Sequence, residues 1–348
     1  MPDHGVGCTA LEGTGVTRAL ALVALLLLGG VALAAEENPR TSLILVVGAG
    51  GEADYDEAFS RWAAKWQKAA AAGDVQVTTI GLDAEGAKSL EQFRSALEKE
   101  PAASSAPLWI VLLGHGTWGM RDARFNLRGD DLPASEYAKQ LQRFQRPLIL
   151  INAFSSSGAF LAPLTGPNRV VVTATKAGGE SNYSRFGQFL AEAIVDPAAD
   201  LDHDGQTSVL EAWLSAAQRV ADFYKSEGRI ATEHSLLDDN GDGRGTPSDW
   251  FRGLQVVKKP AKTGEPDGLR ARQIHLVPSE AERNFPAALR QERDTLELEL
   301  ARLRETKPTM PEAKYYQELE ALLLRLAELY QDAEPGAARS VPAEGTTG

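Results

Sequence analysis

Short apolar runs that alternate with amphipathic stretches constrain the fold of this chain of 348 residues. Residues 43–47, 75–80, 108–113, 148–151 and 170–173 have the length and apolar character of buried strands. Between and after them, residues 53–72, 87–99, 134–144 and 186–195 carry helical spacing, with Phe59, Trp62 and Trp66 on one face. Strands that alternate with helices imply parallel crossovers. The pattern therefore predicts an α/β protein, a three-layer sandwich around a mainly parallel sheet.

A second region follows. Residues 280–304 and 312–330 are predicted helices, and Lys307-Pro308-Thr309-Met310-Pro311 breaks the chain between them. In the second helix Tyr316, Leu319, Leu323, Leu326 and Tyr330 recur at alternating steps of three and four. A C-terminal antiparallel helical hairpin is the expectation. Pro260, Gly264, Pro266 and Gly268 among charges mark residues 258–275 as a linker, with its mobile part at 258–268. The composition from 333 to 348 predicts disorder. The expected organisation is an export signal at 1–35, an α/β domain at 42–257, the linker, a hairpin at 276–332 and the tail.

The formal net charge of −12 excludes nucleic-acid binding, which needs a basic face, and suits cation binding. Arg18 precedes an apolar run at 19–28, and Ala32-Leu33-Ala34 supplies the small residues of a cleavage site. The run is shorter than the roughly 20 residues of a spanning helix. The expectation is a periplasmic or secreted protein with no membrane span after cleavage. Cys8, the single cysteine, lies ahead of the run. Its removal would leave a mature chain without thiol or disulfide.

In open parallel sheets, ligands bind beyond the carboxyl ends of the strands. Two predicted strands end in reactive side chains, one at Gly114-His115-Gly116-Thr117 and one at Asn152-Ala153-Phe154-Ser155-Ser156-Ser157-Gly158. An imidazole beside a hydroxyl can activate it, and glycine lets backbone N–H groups approach an oxyanion. A structural alternative stands beside this one. His115 can be a strand-end residue held by backbone, and the serines a βα turn in which Ser156 or Ser157 caps the next helix.

The arrangement resembles the clan of caspases, legumains and metacaspases. There a His-Gly pair ends one strand and a Cys-x-Ser-Gly turn ends the next. His115-Gly116 matches the first element and Ser155-Ser156-Ser157-Gly158 the second, with Ser155 in the cysteine place. The stretch from Thr173 to Tyr183 is similar to the legumain segment that shapes the specificity pocket. The resemblance implies a caspase-like sandwich and a peptidase site of His115 and Ser155, with Gly116 and Ser155 N–H groups at the oxyanion. Legumains carry an acidic residue two before the cysteine; here Ala153 stands there. A slip of one position would place Phe154 opposite the cysteine. Neither alignment supplies a thiol, and Asp122, Asp130 and Asp131 are the candidates to orient His115. The expected function is an exported legumain-like or caspase-like peptidase-family protein, degenerate or weakly active. The alternative is a non-catalytic, calcium-stabilised peptide-binding or scaffold protein of the envelope, acting on a peptide or through a partner at the C-terminal helices.

The strongest local motif is Asp200-Leu201-Asp202-His203-Asp204-Gly205-Gln206-Thr207-Ser208-Val209-Leu210-Glu211. Asp at loop positions 1, 3 and 5, Gly at 6 and Glu at 12 are the spacing of an EF-hand-like calcium loop, with a carbonyl from Gln206. Asp238, Asn240, Asp242 and Asp249 form a partial second loop, disturbed by Gly245 and Pro247. His203 and His234 lack a second His or Cys at ligand spacing and are expected on the surface. Trp62, Trp66 and Trp213 are expected as core anchors.

Overall fold

Strands that are apolar on both faces must be covered on both faces. The computed structural model, which describes residues 39–82, 88–119, 122–258 and 265–333, meets that demand. The expected signal segment, Cys8 and residues 334–348 lie outside the described residues. The chain divides into Met1–Pro39 and Arg40–Gly348, and the second unit is described here. Its elements run β1 (Ser42–Val47), α1 (Ala53–Ala72), β2 (Gln76–Ile80), α2 (Ser89–Lys99), β3 (Leu108–Gly114), β4 (Gly116–Trp118), β5 (Ala123–Phe125), β6 (Leu132–Pro133), α3 (Ala134–Leu141), β7 (Leu148–Phe154) and α4 (Leu161–Leu164). Next come β8 (Arg169–Thr173), α5 (Phe186–Ala193), α6 (Val209–Ser226), β9 (Leu236–Asp238), β10 (Thr246–Pro247), β11 (Phe251–Arg252) and β12 (Gln255–Val256). The C-terminal helices are α7 (Glu280–Asn284), α8 (Ala287–Thr306) and α9 (Glu312–Ala333).

Among the described residues the main sheet has seven strands in the order β2-β1-β3-β7-β8-β9-β10. β2 to β8 pair in parallel, whereas β9 and β10 are antiparallel. The period of two along each strand separates two cores. Leu43, Leu45, Trp109, Val111, Ile149 and Ile151 face Phe59, Trp62 and Trp66 of α1 and Trp213 of α6. Ile44, Val46, Ile110 and Leu150 face Phe93 of α2 and Tyr137 of α3. The α/β class, the parallel sheet and the three layers are thus as expected, and the three tryptophans are core residues.

The amino ends of the strands are tied by one guanidinium. Arg146, whose side chain is 0% exposed, donates to Ala106 O at 2.8 Å, Pro107 O at 3.1 Å, Arg40 O at 3.3 Å and Glu100 Oε2 at 2.9 Å. A buried charge is tolerable only when its donors are satisfied in this way.

Several boundaries differ from the sequence expectations. Residues 265–275, the described second half of the expected linker, pack onto the α/β body, with Ala271 buried beside the neighbouring Leu276. Two buried carboxylates fix them. Asp239 accepts from the N–H groups of Gly268, Arg270 and Ala271, and Asp267 accepts from Asp239 N, Asn240 N and Thr246 Oγ1. Burial, then the nearby Asp239 charge, pushes the Asp267 carboxyl up to about 7. Burial also raises Asp239.

The expected helix over 280–304 is two helices, α7 and α8, because Pro286 lacks the N–H a continuous helix needs. In α9 the seam toward α8 holds Tyr315 and Leu329, while Tyr316, Leu323 and Tyr330 are exposed. The exposed stripe repeats the seam's spacing one residue along, so periodicity could not separate the two. Among the described residues no helix is long and apolar enough to cross a membrane.

Glu233, 3% exposed, was not singled out by its sequence context. Its carboxylate accepts from Ser184 Oγ at 2.6 Å, Arg185 N at 3.0 Å, Phe186 N at 3.1 Å and Tyr224 Oη at 3.2 Å. It closes the N-terminus of α5, where a negative charge is favoured. Glu233→Ala leaves those donors unpaired, and an expected loss of about 3 kcal/mol or more should appear in urea denaturation.

Candidate functional site

The register of β3 on β7 sets Gly114 opposite Phe154, so His115-Gly116 and Ser155 emerge side by side at the carboxyl edge. The His115 ring is half-buried among aromatic rings. Tyr55 lies edge-on at 4.9 Å, Phe59 at 5.1 Å, and Tyr183 is tilted at 5.9 Å. Burial lowers the His115 pKa from its ordinary 6.5, and a hydrogen bond to the Gly50 backbone opposes that shift. Gly50 is itself held, donating its N–H to Asp56 Oδ1 at 3.0 Å, which Arg128 also contacts at 2.7 Å.

The three carboxylates considered as orienters of His115 are placed otherwise. Asp122 accepts from the Ser135 N–H and hydroxyl, Asp131 accepts from Leu127 N, and Asp130 is exposed.

Ser155 is 2% exposed, and its hydroxyl is fully engaged with the neighbouring strand. Oγ accepts from Gly116 N at 3.1 Å and donates to Gly116 O at 3.2 Å. Among the described residues no hydrogen bond joins this hydroxyl to the His115 ring. Gly116 permits the close approach, since a Cβ there would stand 2.4 Å from Ser155 O.

The rest of the turn is also occupied structurally. Ser157 Oγ accepts from Ala174 N at 3.0 Å and Thr175 N at 3.2 Å, so it caps the end of β8 rather than the following helical turn. Ser156 adopts φ 63 and donates its N–H to Glu180 O at 2.8 Å. Its Oγ is buried with no partner among the described residues. Gly158 passes under the following loop, where a Cβ would meet Ala177 N at 2.2 Å.

The 173–183 stretch forms the next wall. Trp118, 61% exposed, lies across Gly178, where an added Cβ would come within 2.5 Å of the indole. Glu180 is the junction of this wall. Oε2 accepts from Lys176 N at 2.9 Å and His234 N at 3.1 Å, and Oε1 lies 2.5 Å from His234 Nδ1. Sequence spacing predicts His234 as a surface histidine without a partner. Its partner lies 54 positions away, and no local spacing reports that distance.

The first acidic loop brings together Asp200, Asp202 and Asp204, with one oxygen from each within 4.8 Å of the others. Asp200 accepts from Asp204 N and Gly205 N, and Asp202 is paired with Arg272 at 3.0 Å. Glu211 is not in that group. Its Oε2 accepts from Ser208 N and Oγ, and its Oε1 from Leu201 N and Asp202 N, completing a capping box at the start of α6. Gln206 Oε1 accepts from Ser279 N.

In the second loop Asp238 accepts from Gly241 N, Gly243 N and Thr165 Oγ1, and Asn240 accepts from Asp242 N. Asp249 is paired with Lys258 instead, and the loop is an Asx turn among hydrogen bonds.

No family model and no curated protein matches the sequence. Among solved structures, the Drosophila initiator caspase Dronc is similar with TM-score 0.41 at 11% identity, over 60% of this chain and 82% of that one. Caspase-1 from Spodoptera frugiperda is similar with TM-score 0.39 at 12% identity, over 58% of this chain and 86% of that one.

His115 gives a pH dependence with a definite sign. Its folded value lies below 6.5, so the unfolded chain takes up the proton first as pH falls. Its contribution to stability is intact above 6.5 and is lost as pH drops through the window beneath it. His115→Gln should therefore gain stability relative to the unsubstituted protein as pH falls below 6.5, as read by urea melts across the range. In NMR the His115 ring should titrate with a midpoint below 6.5; a higher midpoint would reverse the expectation.

Proposed function

We propose that this chain is a peptidase-like protein of the caspase and legumain type that retains the strand-end cleft and has lost covalent attack. Its role is to bind an extended stretch of polypeptide. The observation that carries this reading is the Ser155 hydroxyl, which spends its proton on Gly116 O and accepts from Gly116 N. A serine nucleophile needs a base within reach and a lone pair directed at the carbonyl. Here the hydroxyl is held by backbone, and the Gly116 N–H expected at an oxyanion is already donated to it. The half-buried Tyr55 and Tyr183 beside His115 provide apolar surface for a ligand side chain. The departure at Ala153 removes the acidic group of legumains and agrees with a binding role. Export to the cell envelope is part of the same proposal and rests on the apolar run at 19–28.

We further infer that calcium stabilises the 200–211 loop. The clustered oxygens of Asp200, Asp202 and Asp204 fit a hard cation, with the Gln206 carbonyl as a further oxygen. Glu211 would have to leave its capping box to join them, so its contribution to the fold precedes any role as a ligand.

Two measurements test these readings. Ser155→Ala should lower stability by about 1–2 kcal/mol through loss of two buried hydrogen bonds. It should leave the capture of a reduced, carboxymethylated reporter polypeptide unchanged in fluorescence anisotropy. Peptide hydrolysis that vanishes with Ser155→Ala would overturn the binding reading.

Calcium at a hundred times its Kd should add about 2.7 kcal/mol in thermal melts against chelator. Asp204→Asn should shrink that difference. Glu211→Ala should lower stability with and without the ion. Equal melts of the unsubstituted protein in calcium and in chelator would remove the ion from the account.

A further inference from the structure

The same carboxyl edge carries a second imidazole, and it meets the requirements of a general base better than His115 does. Such a base needs its tautomer fixed by a partner and its remaining ring nitrogen open to the reactant. His115 is packed among Tyr55, Phe59 and Tyr183, with no carboxylate hydrogen-bonded to its ring among the described residues. His234 has such a carboxylate. Its Nδ1 lies 2.5 Å from Glu180 Oε1, and its backbone N–H is held by Oε2 of the same carboxylate at 3.1 Å. The side chain is 43% exposed, while that of Glu180 is only 15% exposed. Among the described residues, its ring hydrogen bond is made through Nδ1 alone.

The position is fixed by the sheet. Leu236 pairs with Thr173 at the end of β8, so His234 stands beyond the carboxyl ends of the parallel strands. Glu180 also joins this imidazole to the serine turn, because its backbone carbonyl accepts the Ser156 N–H at 2.8 Å. Lys176, 3.6 Å from Glu180 Oε1 and 55% exposed, places a positive charge on the same rim.

We propose that Glu180 and His234 form a general-base pair for hydrolysis of acyl esters at this edge, with His234 the catalytic residue and Glu180 its positioning residue. The neutral ring carries its proton on Nδ1, donated to Glu180, and Nε2 takes a proton from a water molecule. The water oxygen forms the new bond to the acyl carbon. The bond from that carbon to the leaving oxygen breaks, and the imidazolium returns its proton to that oxygen. The products are the acid and the alcohol, with no change of oxidation state. This assignment uses neither Ser155 nor peptide capture, so it stands or falls apart from the binding role proposed above.

The test uses 4-nitrophenyl acetate and the full chain. The unsubstituted protein should hydrolyse the ester faster than free imidazole at equal concentration. His234→Gln should lose about 100-fold, within the range for one general base. Glu180→Gln, which keeps one of the two acceptor oxygens and removes the charge, should lower kcat with KM unchanged. Nitrogen-15 NMR should find the neutral His234 ring protonated on Nδ1, and Glu180→Ala should return it to the Nε2–H form. A surface imidazole acting unaided would be indifferent to Glu180. Hydrolysis no faster than free imidazole, a His234→Gln variant of full activity, or an Nε2–H tautomer in the unsubstituted protein would each overturn the proposal. The tautomer measurement needs no variant, so it stands even if a substitution unfolds the chain.

Discussion

The parallel pairing of β3 with β7 is the constraint on which the site depends. It sets Gly114 opposite Phe154, and the next residues along each strand must then meet. Ser155 closes on Gly116 through two hydrogen bonds, one to its N–H and one to its carbonyl. The rest of the turn continues from that closure. Ser156 is driven into a left-handed conformation, Ser157 reaches β8, and Gly158 slips under the 176–180 loop. A change of register by one residue would turn each of these side chains to the opposite face. The closure also separates shape from chemistry. The strand ends come together, but the hydroxyl best placed by sequence to act as nucleophile is committed to joining them.

Carboxylates organise this molecule more than its charge balance suggests. Glu180, Glu211, Glu233, Asp239 and Asp267 each accept backbone N–H groups from segments that form no regular pairing with one another. A carboxylate offers two oxygens and about four lone-pair directions, so one side chain can satisfy several donors at a loop junction. Such bonds are stronger than neutral ones. They explain how loops at both ends of the sheet keep a defined shape without disulfides among the described residues. They also show that an acidic composition can serve the interior as well as the solvent.

The layer architecture was legible because it follows from apolar periodicity over whole strands and helices. The strand ends were legible for the same reason, so the sequence places His115 and Ser155 just beyond β3 and β7. What each side chain does there was not, since the Gly116 carbonyl and N–H carry no sequence signal. Glu180 and His234 were missed as a pair because their contact is set by the antiparallel return of β9. Glu211 was read from its loop position, yet the Ser208 hydroxyl three residues earlier is an equally good reading of the same letters, as a helix cap. In α9 two stripes of apolar residues share a spacing, and only packing against α8 selects Tyr315 and Leu329 over Tyr316 and Tyr330. The proline and glycine content around 260–268 suggested a linker throughout, although the carboxylates that anchor its described second half are separated from it in sequence.

The reciprocal hold between Asp239 and Asp267 has a topological consequence. Residues between them form a closed circuit, joined at its base by hydrogen bonds rather than by a covalent link. The chain after the circuit is held independently, by Ile274 O accepting from Val209 N and by the buried Ala271 and Leu276. A peptidase that nicked the backbone after the exposed Arg252, inside the circuit, would therefore produce two polypeptides on a denaturing gel but one particle in solution. Both new termini would stay tethered, and the helices beyond would travel with the α/β body as before.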